Sequence, residues 1–253
     1  MTAGEMERQV DFDEVWLDRL AEDYTDSEEP YKIRKNKLME RVGLPVLATE
    51  YIAADDFAGL KSTLEEKLCE PGSIIIRLAC KPDKLSMPVF YVNNREEIDE
   101  VVGDIAKFTA ENSLVVVFLV QPATTEEQAK DKISGRLLFN ESRYLPLDQV
   151  LELYKGARST GILNNVEPGD KNFLQLQKDA RGFLKPTTLI KDSSISEDEL
   201  RRIDQQLERY KEQMEAARDI IALSRKKGSD QILVSFEFWW RDHQIFFTDL
   251  DEF

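Results

Sequence analysis

The stretch 232–253 constrains this chain more than any other. It reads "ILVSFEFWWRDHQIFFTDLDEF", two runs rich in Phe, Trp, Ile and Val joined by the turn-like "WRDHQ". Aromatic and β-branched residues alternating with polar ones suit strands, so the two runs predict a hairpin. Successive side chains of a strand point to opposite faces. Ser235, Glu237 and Trp239 therefore share one face, and Val234, Phe236, Phe238 and Trp240 the other. In the second run the same alternation puts Ile245, Phe247, Asp249 and Asp251 on one face. A carboxylate in such company is costly to bury unless a cation or a donor accompanies it. The hairpin thus calls for a sheet with one hydrocarbon face and a companion for its acids. Adjacent strands can bring Glu237 beside Asp249 or Asp251, an oxygen-rich pair that suits Mg²⁺. The alternative is an ion pair of Glu237 with Arg241 or a lysine at an open sheet face.

Upstream, strand-like and helix-like segments alternate, which restricts the class to α/β or α+β. Phe12, Trp16, Leu20 and Tyr24 recur every four residues and line one side of an acidic helix, which either packs on its own domain or serves as a docking peptide. From Tyr31 a basic helix leads through "GLP" into the short strand "VLATEYI", then into an amphipathic helix beginning near Asp55. "SIIIRLAC" and "MPVFYV" read as strands. A helix over 95–109 follows, with Ile98, Val101, Val102 and Ile105 inward, and then the buried strand "LVVVFLV". The longest helical pattern runs over 197–227. Ser196 and Glu199 form a capping box, and Gly228 is a C-terminal stop. Leu200, Ile203, Leu207, Tyr210, Met214, Ala217 and Ile221 alternate three and four apart along it, the spacing of a coiled-coil seam. Such a helix either lies across its own domain or pairs with a second copy as a homodimer.

Several chemistries lack their residues. The formal net charge is -15, of which eleven acids and two arginines within 1–29 supply -9. The balance opposes nucleic-acid binding, which needs Lys and Arg against phosphates. The remainder, at -6, leaves room for a basic cleft. One histidine, His243, falls in the predicted hairpin turn, so a Ser-His-Asp or Cys-His arrangement has little to draw on. Cys69 and Cys80 match neither a metal spacing nor a disulfide framework, and free thiols point to a cytoplasmic location. No apolar run reaches the ~20 residues of a membrane span, and no secretion signal begins the sequence. Neither G-x-x-x-x-G-K-[ST] nor G-x-G-x-x-G occurs among the 11 glycines. A nucleotide would have to be held by cationic side chains. The candidates are Arg77, which alternation separates from Ile76 and Leu78, and Lys81 and Lys84 in the following loop. For Arg77 a phosphate contact and a structural salt bridge stand as alternatives.

Taken in order, these segments resemble the ATP-grasp superfamily. In that family a lysine-bearing helix leads into a "G-I/L-P-V-P" turn, similar to "KNKLMERVGLPVLATEYI" here. A strand supplying a phosphate cation is similar to "SIIIRLACKP", a hinge strand that cradles adenine to "LVVVFLVQP", and an acid on each of two last strands to Glu237 and Asp249. The flavour is closest to the nucleotide-binding domain of phosphoenolpyruvate synthase and pyruvate phosphate dikinase, with "IIIRLAC", "VFLVQPA" and "ISGRLLFN" in the places of its motifs. There are departures. The loop "CKPDKLSMPVF" lacks the family's small-residue run, and Asp249 stands where asparagine, glutamate or glutamine is usual. No phosphohistidine domain follows, so the dikinase relay cannot be completed within this sequence.

The resemblance implies an α+β fold of two lobes with mainly antiparallel sheets. An acidic extension at 1–29 would precede a first lobe at 30–113 and a second at 114–253. It implies ATP and Mg²⁺ as ligands. Lys35 or Lys37, Arg77 and Lys81 would face phosphates, Gln121 the adenine, and Glu237 and Asp249 the metal. The expected activity is ATP-dependent ligation or phosphoryl transfer on a small carboxylic acid. The alternative is a non-catalytic member of the fold that binds a protein partner.

Overall fold

The computed structural model describes residues 12, 14–68, 72–81, 87–140, 149–156, 166–167, 170–178, 184–186, 193–224 and 233–252. Lys84, Cys69 and the helix stop at Gly228 lie outside them. Two antiparallel sheets dominate. The smaller one contains β1 (Glu50–Ala53), β2 (Ser73–Cys80), β3 (Val89–Val92) and β4 (Val115–Ala123) in the order β1-β4-β2-β3. Period-two alternation in "SIIIRLAC" gives β2 two different faces. Ile74, Ile76, Leu78 and Cys80 pack with Leu60, Leu64, Ile98 and Ile105 of α3 (Phe57–Lys67) and α4 (Ile98–Glu111). Asp56 caps α3 by accepting from the Gly59 N–H at 2.8 Å, and Asn94 accepts from the N–H groups of Glu96 and Glu97 ahead of α4. The opposite face carries Ile75, Arg77 and Ala79. There Ala79 and Leu119 meet Ile33 of α2 (Tyr31–Arg41). β4 belongs to this sheet, whereas the expected second lobe began at 114; its partners β1 and β2 both lie earlier in the chain.

The larger sheet has the order β10-β9-β5-β6-β7-β8. Its strands are β5 (Ile133–Asn140), β6 (Gln149–Lys155), β7 (Phe173–Lys178), β8 (Leu184–Pro186), β9 (Leu233–Arg241) and β10 (Gln244–Glu252). One face is hydrocarbon: Leu137, Leu151, Leu153, Phe236, Phe238 and Phe247 form a core with α6 (Glu197–Arg209) and α7 (Lys211–Ser224). Phe238 lies so close over β5 that a Cβ on Gly135 would come within 2.1 Å of its ring, so only glycine fits there. The acidic helix α1 (Glu14–Asp26) packs on the same core through Trp16, Leu17, Leu20, Ala21 and Tyr24.

The capping box at Ser196 and Glu199 is present, but the single helix expected over 197–227 is not. It breaks at Tyr210, whose φ of -99° and ψ of 14° leave the helical region. The ring of Tyr210 stands edge-on to Phe247, with centroids 6.1 Å apart. The heptad-spaced residues Ile203, Leu207, Met214, Ala217 and Ile221 are all buried in this chain's own core. That seam is therefore unavailable to a homodimer. Among the described residues no helix is long and apolar enough to cross a membrane.

Candidate functional site

The closing hairpin turns through Asp242 and His243, both at positive φ (53° and 63°), the backbone of a two-residue primed turn. This fixes Ile245 opposite Trp240 and Phe247 opposite Phe238. The register then shifts between Phe247 and Asp249, with Thr248 as the extra residue of a bulge. Beyond it Asp249 pairs with Glu237 and Asp251 with Ser235. Simple alternation therefore fails: Ile245 and Phe247 enter the helix-covered core, while Asp249 and Asp251 emerge on the other face. One inserted residue turns the acids away from hydrocarbon. The "GLPV" turn secures the bulge, the Phe247 N–H donating to the Pro45 carbonyl at 2.7 Å and Val46 bridging Phe247.

The acids emerge against the first lobe. Lys35, 5% exposed, donates to Asp251 Oδ1 at 2.7 Å and lies 3.0 Å from Asp249 Oδ1. Arg77 Nη1 stands 3.7 Å from Asp249 Oδ2 and donates to the bulge carbonyl of Thr248 at 3.3 Å. Asp249 Oδ1 also accepts from the Leu250 N–H at 2.9 Å. Burial disfavours each charge alone, but together they hold one another ionised. Burial pushes the Asp249 carboxyl up, yet Lys35, Lys32 and Arg77 outweigh it and bring it down to about 2. Burial likewise opposes the Lys35 ammonium, and Asp249 and Asp251 reverse this and raise its pKa. For Lys32 burial wins, and its pKa is lowered despite Asp249. Sequence reasoning missed Lys32, although its spacing of three from Lys35 puts both on one face of α2.

The other candidates separate. Lys37, two residues beyond Lys35 and so across the helix, pairs with Glu29 at the surface. Lys81 is exposed, 3.7 Å from Glu28. Gln121 is buried on the face of β4 that carries Leu119, donates to Thr49 Oγ1 at 2.8 Å, and leaves its Oε1 without a partner among the described residues. Glu237, 9% exposed, begins a polar row across the larger sheet. Its register neighbours are Asp249 on one side and Arg136 on the other, and Arg136 opposes Glu152, which opposes Gln175. Arg136 grips Glu152 with two N–H groups at 2.8 and 2.6 Å, and Gln175 donates to the other oxygen at 3.0 Å. On this same face Ser134, Ser235 and Trp239 hold buried polar atoms without partners among the described residues. The fully buried Lys132, also unforeseen, sets its ammonium 3.7 Å from the Trp239 ring centre. A cleft of about 810 Å³ opens at the far end of β4, lined by Ser73, Pro122, Ala123, Gln128 and Arg241 among others. None of the seven site candidates lines it.

Glu237 and Asp249 do face each other, but as arranged they do not fit a metal ion. Both Asp249 oxygens are engaged by cations, and no group of three or more His, Cys, Asp or Glu side chains is placed to hold a metal among the described residues.

No family model matches the sequence, and no curated protein matches it. Solved structures do. The biotin carboxylase of Campylobacter jejuni in complex with a β,γ-ATP compound aligns with a TM-score of 0.50 at 11% identity, over 88% of this chain and 40% of that one. The biotin carboxylase domain of the Hydrogenobacter thermophilus 2-oxoglutarate carboxylase aligns at 0.48 and 12%, over 87% and 39%. A D-cycloserine synthetase aligns at 0.46 and 13%, over 97% and 78%. The chain spans about two-fifths of the length of the two biotin carboxylases. At these identities the likeness is one of fold. Two antiparallel sheets with flanking helices match the ATP-grasp-like α+β fold class.

Proposed function

We propose that this chain is an ATP-grasp-fold protein that takes the phosphates of ATP between its two sheets, where Lys32, Lys35 and Arg77 face the last strand. The observation that carries this reading is the 3.7 Å approach of Arg77, from the centre of the smaller sheet, to Asp249 at the end of the larger one. Cations from α2 and the smaller sheet meet the acids of β10 at a single spot. Lys32 is the member short of compensating charge, and an arriving phosphate supplies it. The phosphate oxygens take the place of the carboxylates as acceptors from Lys35 and of the Thr248 carbonyl as acceptor from Arg77, which is positioning and charge stabilisation without a histidine base. Gln121, with its unmatched Oε1, serves the base. The C. jejuni structure of the same fold holds an ATP compound, in keeping with this assignment. The finer reading is an ATP-dependent ligase or phosphotransferase acting on a small carboxylic acid in the cytoplasm. Its kinship with the phosphoenolpyruvate synthase nucleotide domain rests on the sequence motifs around Arg77, Gln121 and Gly135.

A second reading has its own observation. Lys35 and Arg77 are already matched by Asp249 and Asp251, as in a clasp that joins lobes and needs no ligand. The chain would then be a non-catalytic protein of the fold, recognising a protein partner. Thermal melting with millimolar ATP separates the two, because a ligand stabilises only the state it binds. The expected result is a raised midpoint in the parent and none in Lys32→Gln, which leaves the Lys35–Asp249 pair intact. An unmoved parent midpoint selects the clasp.

A further inference from the structure

The geometry points to Lys35 as a resident substitute for the divalent ion: a phosphate ligand binds at the cluster of Lys32, Lys35 and Arg77 without a bound metal. The inference rests on that cluster being the phosphate site and adds the form in which the ligand arrives.

Three observations carry it. First, the Lys35 ammonium occupies the position between carboxylates that an ion would need, 2.7 Å from Asp251 and 3.0 Å from Asp249, with the Tyr31 ring centre 4.6 Å away. Second, Asp249 already lies against two cations. Its Oδ1 accepts from the Leu250 N–H and meets Lys35, and its Oδ2 faces Arg77. A divalent ion binding there would have to evict both cations from a buried site, and each, tethered to its own helix or strand, would remain as a like charge close to the ion. Third, Glu237, the acid that would complete a metal pair, opposes Arg136 on its other side, so the polar row brings a further cation rather than a further carboxylate. Mg²⁺ is reluctant to dehydrate and demands near-octahedral oxygen geometry, which this ring of donors opposes. The Lys35 ammonium can instead pass its N–H donors directly from carboxylate to phosphate oxygens, and the Arg77 guanidinium adds its own charge to them.

The test is thermal melting of the full chain with ATP in excess EDTA and with ATP in excess MgCl₂, joined to Mn²⁺ titration followed by electron paramagnetic resonance. The expected results are a midpoint rise in EDTA at least equal to that in MgCl₂, and no Mn²⁺ bound by the parent protein. Lys35→Met should lose the rise in EDTA and gain Mn²⁺ affinity by about tenfold or more, since it frees Asp249 and Asp251. A rise seen only with MgCl₂ overturns the inference and leaves the phosphate reading standing. Absence of a rise in both overturns the two together. Mn²⁺ bound by the parent and lost in Asp249→Asn also overturns it, and the parent measurements decide alone should Lys35→Met fail to fold.

Discussion

Two buried charge clusters lie on one face of the larger sheet, and they are built differently. Arg136, Glu152 and Gln175 belong to three neighbouring strands, so the sheet itself sets their spacing and each carboxylate oxygen finds its donor. Asp249 and Asp251 come from the edge strand, while Lys32, Lys35 and Arg77 come from α2 and β2. The first cluster would persist if the lobes parted. In the second, α2 packs Leu38 and Met39 into the core of the larger sheet, so the Lys35 pairs are made on that sheet, and the Arg77 contact alone reaches across from the smaller one. That one long contact is the part a ligand can displace, which makes this cluster the better place for it.

The largest effect expected from breaking this contrast is at Asp249. Asp249→Ala leaves the buried Lys35 and Arg77 with Lys32 beside them and one carboxylate fewer, and removing one partner of a buried pair costs about 3–5 kcal/mol. Urea unfolding at neutral pH measures it. The carboxyl, brought from its ordinary 3.8 to about 2, contributes stability that is complete above pH ~4 and is lost as pH falls through about 2. The loss amounts to about 2 kcal/mol. The parent should thus lose stability over that window, and Asp249→Ala should lack that part of the acid limb. Equal acid sensitivity in both proteins would mean that Asp249 is not held by the cations of the first lobe.

The in-sheet cluster should respond otherwise. Arg136→Met alone takes the cation from between Glu152 and Glu237, two strands apart, and strands Glu152, and should cost about 3 kcal/mol. Arg136→Met combined with Glu152→Leu removes both charges into packed hydrocarbon, and is expected to recover most of that loss, since such replacements of buried pairs are often neutral. No equivalent double replacement exists between the lobes, where three cations meet two carboxylates. If Lys35→Met with Asp251→Leu were as neutral as the in-sheet double, the distinction between a fixed and an exchangeable cluster would fail.

What could be read from the sequence follows from how local its causes are. The capping box at Ser196 and the two faces of "SIIIRLAC" depend on residues a few positions apart, and both appear in the structure. Arg77 could be singled out because an apolar run exposes a misfit cation. The bulge at Thr248 carries no such signature, since the contacts that hold it, the Val46 bridge, the Pro45 carbonyl and the Arg77 donor to the Thr248 carbonyl, all come from far earlier in the chain. Missing it inverted the faces beyond Phe247, yet Glu237 and Asp249 still met. The break at Tyr210 was equally hidden, because the heptad spacing runs through it unchanged, Tyr210 itself holding a seam position. Lys32 and Lys132 were passed over for a different reason: a lysine reveals its burial only through what surrounds it.

The smallest expected effect isolates the orientation of α2. Lys35 and Lys37 are two residues apart on one helix, about 200° around its axis, and either one fits the lysine-bearing helix of the resemblance. Lys37 pairs with Glu29 where both side chains are about 40% exposed. Exposed pairs of this kind contribute little, so Lys37→Ala should change stability by less than about 0.5 kcal/mol and leave any ATP-induced rise in melting midpoint unaltered. Lys35→Ala, one helical face away, removes the ammonium that joins the edge strand to the first lobe. A Lys37→Ala protein that lost the ATP response would show that α2 turns its other face to the cleft when the ligand enters, and the comparison between the two clusters would then describe only the empty form.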